Sequence, residues 1–245
     1  MLHLMLIPGA AGAVFATHGA CVHPVPPFRM SASVGPCESP TWPRLKEELD
    51  KIPVFTVAND MSQPLQYQMG ERQLAVFYVD VAAGKNEYEN ARDTYPDLGC
   101  DIITIGLGQA FQLSVEGKAM VVPGIAELRA AGAPEGAEPM GQEVPLFACM
   151  DMKRDGNQIP LFMSYADGAA AVKEHATSVD VDDALAIDAI FSLQSIVEEL
   201  ADLEDPASGE FVFEAPSSSL QHAASYLGQG IYVREVQDEE GEADD

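Results

Sequence analysis

Beyond residue 40, short and mostly apolar runs alternate with polar turns, and the order of these runs is repeated along the chain. Residues 52–57 (IPVFTV) and 144–149 (VPLFAC) are runs of the kind that form buried strands. Each is followed by a polar turn and a second apolar run, residues 74–80 and 159–167, and both second runs end in an aspartate. Two such runs joined by a turn predict a β-hairpin in each copy.

Helical segments follow each predicted hairpin. Residues 82–94 and 168–177 contain alanine and other helix-forming residues. Residues 109–113 (QAFQL) then match residues 189–193 (AIFSL), and the second match extends into a predicted amphipathic helix. Asp182 and Asp183 fall in its first turn, where acidic side chains are favourable. Its apolar positions, at three-and-four spacing, are Ala189, Leu193, Ile196, Val197 and Leu200.

Each copy closes with a predicted strand and a short helix, residues 119–123 leading to Leu128 and residues 211–216 leading to Leu220 and Tyr226. The pattern predicts an α/β (α+β-like) fold with a pseudo-two-fold repeat, in which a central sheet is flanked by helices. The predicted divisions are a leader at 1–40, a first repeat at 41–132, a connector at 133–143, a second repeat at 144–235 and an acidic, disordered tail at 236–245.

The N-terminal segment differs in composition from the rest of the chain. Residues 1–37 contain no Asp or Glu, and residues 2–16 are apolar apart from His3. Residues 21–40 then hold Pro, Ser, Ala and the single Arg29, a composition similar to a transit peptide. A signal followed by a transit-like stretch predicts a cleaved leader for a plastid acquired by secondary endosymbiosis. A disordered N-terminus is the alternative, because no basic segment precedes the apolar run.

The charge of the chain restricts its partners. Thirteen Lys and Arg stand against 39 Asp and Glu, which gives a formal net charge of -26. Such acidity disfavours nucleic acid and anionic membrane surfaces, and it favours cationic partners such as Arg-rich transit peptides. No run reaches the ~18 apolar residues that a membrane span needs. We therefore expect no transmembrane segment and, at most, peripheral membrane association.

The cysteines do not form a disulfide framework. Of the four in the chain, Cys21 and Cys37 lie in the predicted leader, which leaves Cys100 and Cys149 for the folded part. Buried, reduced thiols are the expected state, and a single bridge between these two is the alternative. Cys149 with His175 would be a conceivable nucleophile and base, but Cys149 lies in a strand pattern that predicts burial.

Candidate metal and cofactor sites are weak. Asp180, Asp182 and Asp183 lack the glycine and terminal glutamate of a calcium loop, and His175 and His222 do not complete a zinc motif. Gly-Leu-Gly at 106–108 follows a strand-like run, but the third glycine of a dinucleotide fingerprint is missing. A turn from strand to helix explains both glycines. We predict no catalytic residue, no metal and no cofactor.

The order of these motifs resembles the Tic twenty-two-kilodalton (Tic22) family, the soluble intermembrane-space component of the translocon at the inner chloroplast envelope. The likeness extends over about residues 45–228, and its motifs are IPVFTVAN at 52–59, DIITIGLG at 101–108 before FQL at 111–113, Pro123, VPLF at 144–147 and IPLFMS at 159–164. The resemblance implies a pseudo-two-fold α/β fold with apolar grooves, peripheral envelope association and a chaperone-like role with preproteins. The helical segment at 41–51 is short and the acidic tail is additional, so one groove is expected to be reduced.

Aromatic and aliphatic side chains on the predicted strands are the candidate groove residues. Most are expected to be core, and a minority to line a groove for extended or amphipathic segments. The full candidate set is Val54, Phe55, Phe77, Phe111, Leu146, Phe147, Phe162, Phe191 and Phe211.

The sequence features and the family resemblance lead to three hypotheses about function. The first is a non-enzymatic import component that binds translocon subunits and preproteins in the plastid intermembrane space, peripheral to the inner envelope membrane. The alternatives are a peripheral structural subunit of a plastid membrane complex and a nucleotide-binding enzyme that uses residues 106–108.

Overall fold

The computed structural model describes residues 35–154, 157–178, 185–204 and 210–227. The helices are α1 Trp42–Leu49, α2 Val81–Thr94, α3 Leu107–Val115, α4 Ile125–Ala130, α5 Tyr165–Ser178, α6 Leu193–Ala201 and α7 Ser217–Leu227. The strands are β1 Pro53–Ala58, β2 Gln66–Met69, β3 Arg72–Tyr78, β4 Asp101–Gly106, β5 Ala119–Val122, β6 Pro145–Ala148, β7 Ile159–Phe162, β8 Ala189–Ser192 and β9 Phe211–Glu214. The predicted acidic tail and all of the predicted leader before residue 35 lie outside the described residues.

The strands form two sheets with the same order of pairing. In the first sheet β1 lies between β4 and β3, β2 pairs with β3, and β5 pairs with β3 in parallel. In the second sheet the order is β8-β6-β7-β9, with β9 parallel to β7. The α/β fold class is confirmed. Two sheets replace the expected single central sheet, because no described strand of one half pairs with a strand of the other and the halves contact each other through side chains. A two-fold axis relating the halves stays a prediction.

One hydrophobic core joins the two halves. Val54 and Phe77 of the first sheet and Leu146 and Leu161 of the second belong to the same buried cluster, together with the apolar faces of α1, α3 and α6. Trp42 of α1 lies in this cluster, with its ring centroid 5.9 Å from that of Phe111. Because each fully buried large side chain contributes roughly 1.5–3 kcal/mol, this shared cluster is the main source of stability.

The last helix of each half packs on the sheet of the other half. Ala131, at the end of α4, lies in a buried cluster with Phe147 of the second sheet. In return, Ser219 of α7 donates a hydrogen bond from its hydroxyl to the carbonyl of Val79 in the first half, at 3.0 Å. The His222 ring meets Phe55 edge-on at 5.3 Å. Each outer sheet face is therefore covered partly by a helix from the other half.

The predicted amphipathic helix, with Asp182 and Asp183 in its first turn and apolar positions from Ala189 to Leu200, is wrong at its start. Residues 189–192 form β8, which pairs with all of β6, and α6 begins at Leu193. The hydroxyl of Ser192 accepts a hydrogen bond from Ser195 N–H and caps the helix. Since α3 begins at Leu107, the counterpart of Leu193 is Leu107, and the predicted match of 109–113 to 189–193 is out of register. Ala189 fits the three-and-four spacing of the helix by chance, although it lies in β8.

Two further details differ from the prediction. Strand β2 is not predicted by the sequence, because Gln66–Met69 is only four residues long and only Tyr67 packs against a buried cluster. Asp80 and Asp167 are also not equivalent. Asp80 caps α2 by accepting from Ala82 N–H, whereas Ser164 takes this role before α5 and Asp167 lies inside the helix.

Candidate binding groove

A groove runs beside β9 at the surface where the two halves meet, and it encloses about 470 Å³. It is called the β9 groove below. The first half contributes the end of α1 and the residues after it, and the second half contributes β9, α6 and α7. The lining residues are Leu45, Glu48, Lys51, Ile52, Gln158, Leu200, residues 211–215 and Leu220.

The β9 groove follows the edge of the strand and not one of its faces. Five consecutive residues, 211–215, line it, whereas a groove on a face would be lined by alternate residues. The carbonyls of Glu210 and Glu214 accept hydrogen bonds from β7 and its flank, at 2.7 and 3.1 Å. Because these groups alternate along a strand, Phe211 and Phe213 direct their N–H and C=O groups away from β7. No other strand of the described residues pairs with that edge.

Charged side chains at the rim of the β9 groove are paired. Lys51 bonds to Glu48, and Arg154 bonds to Glu214. Each pair joins one positive and one negative side chain, so together the pairs present little net charge to a ligand. Recognition at this groove therefore depends on apolar side chains and on the backbone groups of the open edge.

A smaller groove, the β5 groove, lies beside the equivalent strand of the first half. It encloses about 240 Å³ and is lined by residues 119–121, residues 141–144, Phe111 and Leu193, among others. Gly141 N–H donates to the Met120 sulfur at 3.2 Å. The end of the connector therefore lies beside β5 and contacts the Met120 side chain.

Most of the predicted groove residues are core residues. Phe211 lines the β9 groove and Phe111 lines the β5 groove, while the half-buried Phe191 lies 5.6 Å from Phe211 between ring centroids. The other six are at most 4% exposed, because helices or the opposite sheet cover both faces of their strands; they are Val54, Phe55, Phe77, Leu146, Phe147 and Phe162.

Other residues of the β9 groove are not predicted by the apolar runs of the sequence. Leu220 is 47% exposed, and Val212 and Ala215 line the groove without being aromatic. Their common feature is proximity to an edge strand. An apolar run alone does not reveal that property, since it depends on which strands pair.

The two glycines of 106–108 permit close packing between α1 and α3. A Cβ atom on Gly106 would lie 2.3 Å from Asp50 Oδ1, and one on Gly108 would lie 2.6 Å from the Lys46 carbonyl oxygen. Asp50 Oδ1 accepts a hydrogen bond from Gln109 N–H at 2.8 Å, at the start of α3. Strand β4 ends at Gly106 and α3 follows directly, so the predicted strand-to-helix turn is confirmed.

Acidic side chains meet where the two halves join, around a small cavity of about 40 Å³ lined by Asp80 and Glu127. Burial raises the pKa of the Glu127 carboxyl, and the negative charges of Asp80 and Asp167 raise it further. Asp167 itself accepts hydrogen bonds from the N–H and the hydroxyl of Ser217, both at 2.8 Å. Among the described residues, no group of three or more His, Cys, Asp and Glu side chains could hold a metal ion.

The thiols within the described ranges are free. Cys100 and Cys149 form no bridge with each other, in agreement with the reduced state expected for them. Cys149 is 1% exposed, and burial raises its pKa, as expected for an unreactive thiol. Burial and the nearby Glu116 and Glu38 raise the pKa of Cys37 to about 11. Asp180, Asp182 and Asp183 lie outside the described residues.

Comparison with known proteins identifies solved structures with a similar architecture. No protein-family model and no curated protein sequence matches the chain. The solved structure of Tic22 from Plasmodium falciparum aligns with 73% of this chain and 95% of its own, at a TM-score of 0.57 and 20% identity. The chain has the Tic22 fold. A Tic22 from Anabaena, a protein of protein transport, aligns with 75% of this chain and 96% of its own, at a TM-score of 0.55 and 18% identity.

The resemblance inferred from the sequence motifs is thus confirmed at the level of the Tic22 fold. None of the helices in the described part of the chain combines the length and the hydropathy needed to cross a membrane.

Proposed function

We propose that the chain is a non-enzymatic component of protein import that binds preprotein segments in the intermembrane space of the plastid envelope. It would act beside translocon subunits and stay peripheral to the inner envelope membrane. The Tic22 fold supports a transport role, since the Anabaena structure belongs to a protein of protein transport. The observation that carries the binding role is the open edge of β9 beside an apolar groove.

The proposed ligand is an extended preprotein segment with alternating apolar residues and a positive net charge. An extended segment can pair with the backbone groups of Phe211 and Phe213 and place alternate side chains in the groove. Main-chain pairing is tolerant of sequence, which suits a protein that receives many different clients. The net charge of -26 attracts cationic segments over distances of about a Debye length, so encounter would slow as salt increases.

Leu220→Asp tests the groove directly. Leu220 is 47% exposed at the groove, so an aspartate there should disturb the fold little while placing a charge against the apolar ligand. Because the ligand places apolar side chains in the groove, desolvation of the new carboxylate there outweighs its attraction for the ligand's positive charge, and we expect at least a tenfold loss of affinity, about 1.4 kcal/mol or more, for a fluorescent transit peptide measured by anisotropy. Met61→Asp is the matched control, because Met61 is 68% exposed in the turn after β1 and does not line the groove. Equal affinities for both variants would place the binding site elsewhere.

Photo-crosslinking in isolated plastids tests the cellular role. A photoreactive residue at position 220 should crosslink to a radiolabelled preprotein arrested during import, and the same residue at position 61 should not. Crosslinks from position 220 to one membrane protein in constant ratio, with none to the preprotein, would instead support a structural subunit.

A further inference from the structure

The small cavity of about 40 Å³ between the two halves is walled in part by the start of α7. It is called the junction cavity below. Residues of both halves line it, and they are Val79, Asp80, Gly124 and Glu127 of the first half and Met163, Ser164, Pro216 and Ser218 of the second. A change of charge at this cavity therefore acts on the contact between the halves.

Two carboxylates of the first half approach each other at the junction cavity. A Cβ atom on Gly124 would collide with Glu127 Oε2 and would lie 3.4 Å from Asp80 Oδ2. Because both oxygens lie next to the same point, they are within about 6 Å of each other, a distance at which two negative charges interact appreciably. The missing side chain at position 124 leaves the space that the Glu127 carboxylate occupies.

The charged groups that act on Glu127 from neighbouring elements are acidic. Burial raises the pKa of its carboxyl most, and Asp80 before α2 and Asp167 in α5 raise it further, against a hydrogen bond from its own backbone N–H. Asp167 accepts two hydrogen bonds from Ser217, the first residue of α7. Arg129 of α4 is exposed, and residues two apart on a helix do not face each other. Ionised Glu127 thus adds a further negative charge to an acidic junction.

The first turns of α7 attach the second half to the first beside this charge. Ser218 lines the junction cavity, and Ser219 donates from its hydroxyl to the Val79 carbonyl at 3.0 Å. One turn later, the His222 ring meets Phe55 edge-on. Detachment of α7 would open the cavity to water, which hydrates an ionised Glu127, and it would uncover Phe55. The charged form of Glu127 therefore favours detachment more than the neutral form does.

His222 of α7 also titrates, with the opposite effect. Burial and the positive charge of Lys85 lower its pKa, so acid charges this half-buried ring and weakens the attachment of α7. The pH dependence of the wild type combines both groups. A comparison of Glu127 variants with the wild type at one pH separates them.

We propose that Glu127 is a proton-sensitive control of the attachment of α7, whose ionised form lets α7 detach from the first half more often through the charge that it adds to the junction cavity. The protonated form holds the halves together. The proposal rests on the junction cavity and does not depend on a role in import. Because α7 also carries Leu220, its detachment changes the β9 groove as well.

Hydrogen exchange of the full-length protein, followed at the amides of α7, tests this control. Glu127→Gln removes the charge at nearly constant size and should slow their exchange about fivefold at pH 7. At about pH 4, below the ordinary pKa of a glutamate, the two proteins should exchange equally. Glu135→Gln, at an exposed position, is the control variant, and the amides of β2 are the internal control because β2 does not line the cavity.

Three results of this experiment would overturn the proposal. The first is equal exchange of α7 in the wild type and in Glu127→Gln at pH 7. The second is a slowing by Glu127→Gln that is the same at both pH values, since the carboxyl would then not be its source. The third is an equal slowing of α7 and β2, which would place the effect away from the junction.

Asp80→Asn provides a second test. Asparagine removes the neighbouring charge and still accepts the capping hydrogen bond from Ala82 N–H. This variant should also slow the exchange of α7 at pH 7. In the double variant with Glu127→Gln, the combined slowing should be smaller than the product of the two single effects, because the two charges interact. Fully multiplicative effects would show that the two carboxylates do not act together at the cavity, and the proposed control would fail.

Discussion

Asp50 connects two helices through its carboxylate. One oxygen accepts from Gln109 N–H at the start of α3, and the other bonds to Lys46 one turn earlier in α1. The close approach of α1 to α3 leaves no space for side chains at Gly106 or Gly108. A glycine pair that suggests a phosphate-binding loop in the sequence thus has a packing role in the fold.

Gly108→Ala should destabilise the protein. Its Cβ would meet the Lys46 carbonyl at 2.6 Å, and since this is backbone, α1 must shift. We expect a loss of about 2 kcal/mol in the free energy of unfolding, typical of overpacking, from urea denaturation. Gly35→Ala is the control, because nothing lies within 4 Å of a Cβ there. An unchanged urea midpoint for Gly108→Ala would contradict the packing role.

Glu127→Gln should stabilise the protein at neutral pH. Burial and the nearby Asp80 and Asp167 raise the pKa of Glu127 above its value in the unfolded chain. The stability this group provides is therefore complete below about pH 4.5 and is lost as the pH rises through the raised pKa. Glutamine removes the buried charge, and we expect a Tm higher by roughly 2–4 °C at pH 7, the shift that ~1 kcal/mol produces in a domain of this size.

The difference in Tm between Glu127→Gln and the wild type should shrink as the pH approaches 4.5, as scanning calorimetry over a pH series would show. Glu135→Gln in the connector is the control, since Glu135 is exposed. A stabilisation by Glu127→Gln that is the same at both pH values would exclude the carboxyl as its source.

At the level of elements, the sequence was most informative where a strand is buried on both faces. Strands β1 and β6 are buried along their whole length, and their apolar runs predict strands correctly. Strand β2 alternates exposed and half-buried residues, and β8 has no fully buried residue. Their hydrophobic signal is weak because much of their stability comes from pairing with a neighbouring strand, which a single sequence does not reveal.

Ser219→Ala should weaken the attachment of α7 to the first sheet. Ser219 is fully buried, and its hydroxyl donates to the Val79 carbonyl of the other half. Loss of this bond leaves a buried acceptor, and we expect a cost of about 1–2 kcal/mol in urea denaturation. Ser225→Ala is the matched control, because the Ser225 hydroxyl bonds within α7 at an exposed position. Equal stabilities of the two variants would show that the buried bond contributes nothing.

For the whole molecule, the two halves share one core and exchange their last helices. This arrangement was only partly predictable. The repeated order of motifs indicated two similar halves, but the exchange depends on where the connector directs α4 and α7. The candidate groove was less predictable still, because it exists only at the open edge that the complete topology creates.

The shared core predicts a single cooperative unfolding transition. Trp42, the only tryptophan, reports on α1 and α3 through fluorescence, and Cys149, 1% exposed, reports on the second sheet through its reactivity with a thiol reagent. In a variant whose only cysteine is Cys149, both probes and far-UV circular dichroism should give the same urea midpoint. Two separate midpoints would mean that the halves unfold independently.

The exchange of helices also has a consequence for the order in which the chain can mature. When a polypeptide emerges from a ribosome or a membrane pore with its N-terminus leading, Phe55 and Val81 of the first half appear early. The side chains that cover them include His222 of α7. Ser219 of the same helix bonds to the Val79 carbonyl across a sequence separation of 140 residues. The first half cannot be completed until nearly all of the described chain has passed through. We therefore expect an emerging chain to reach the native packing of its first half only after α7 has appeared.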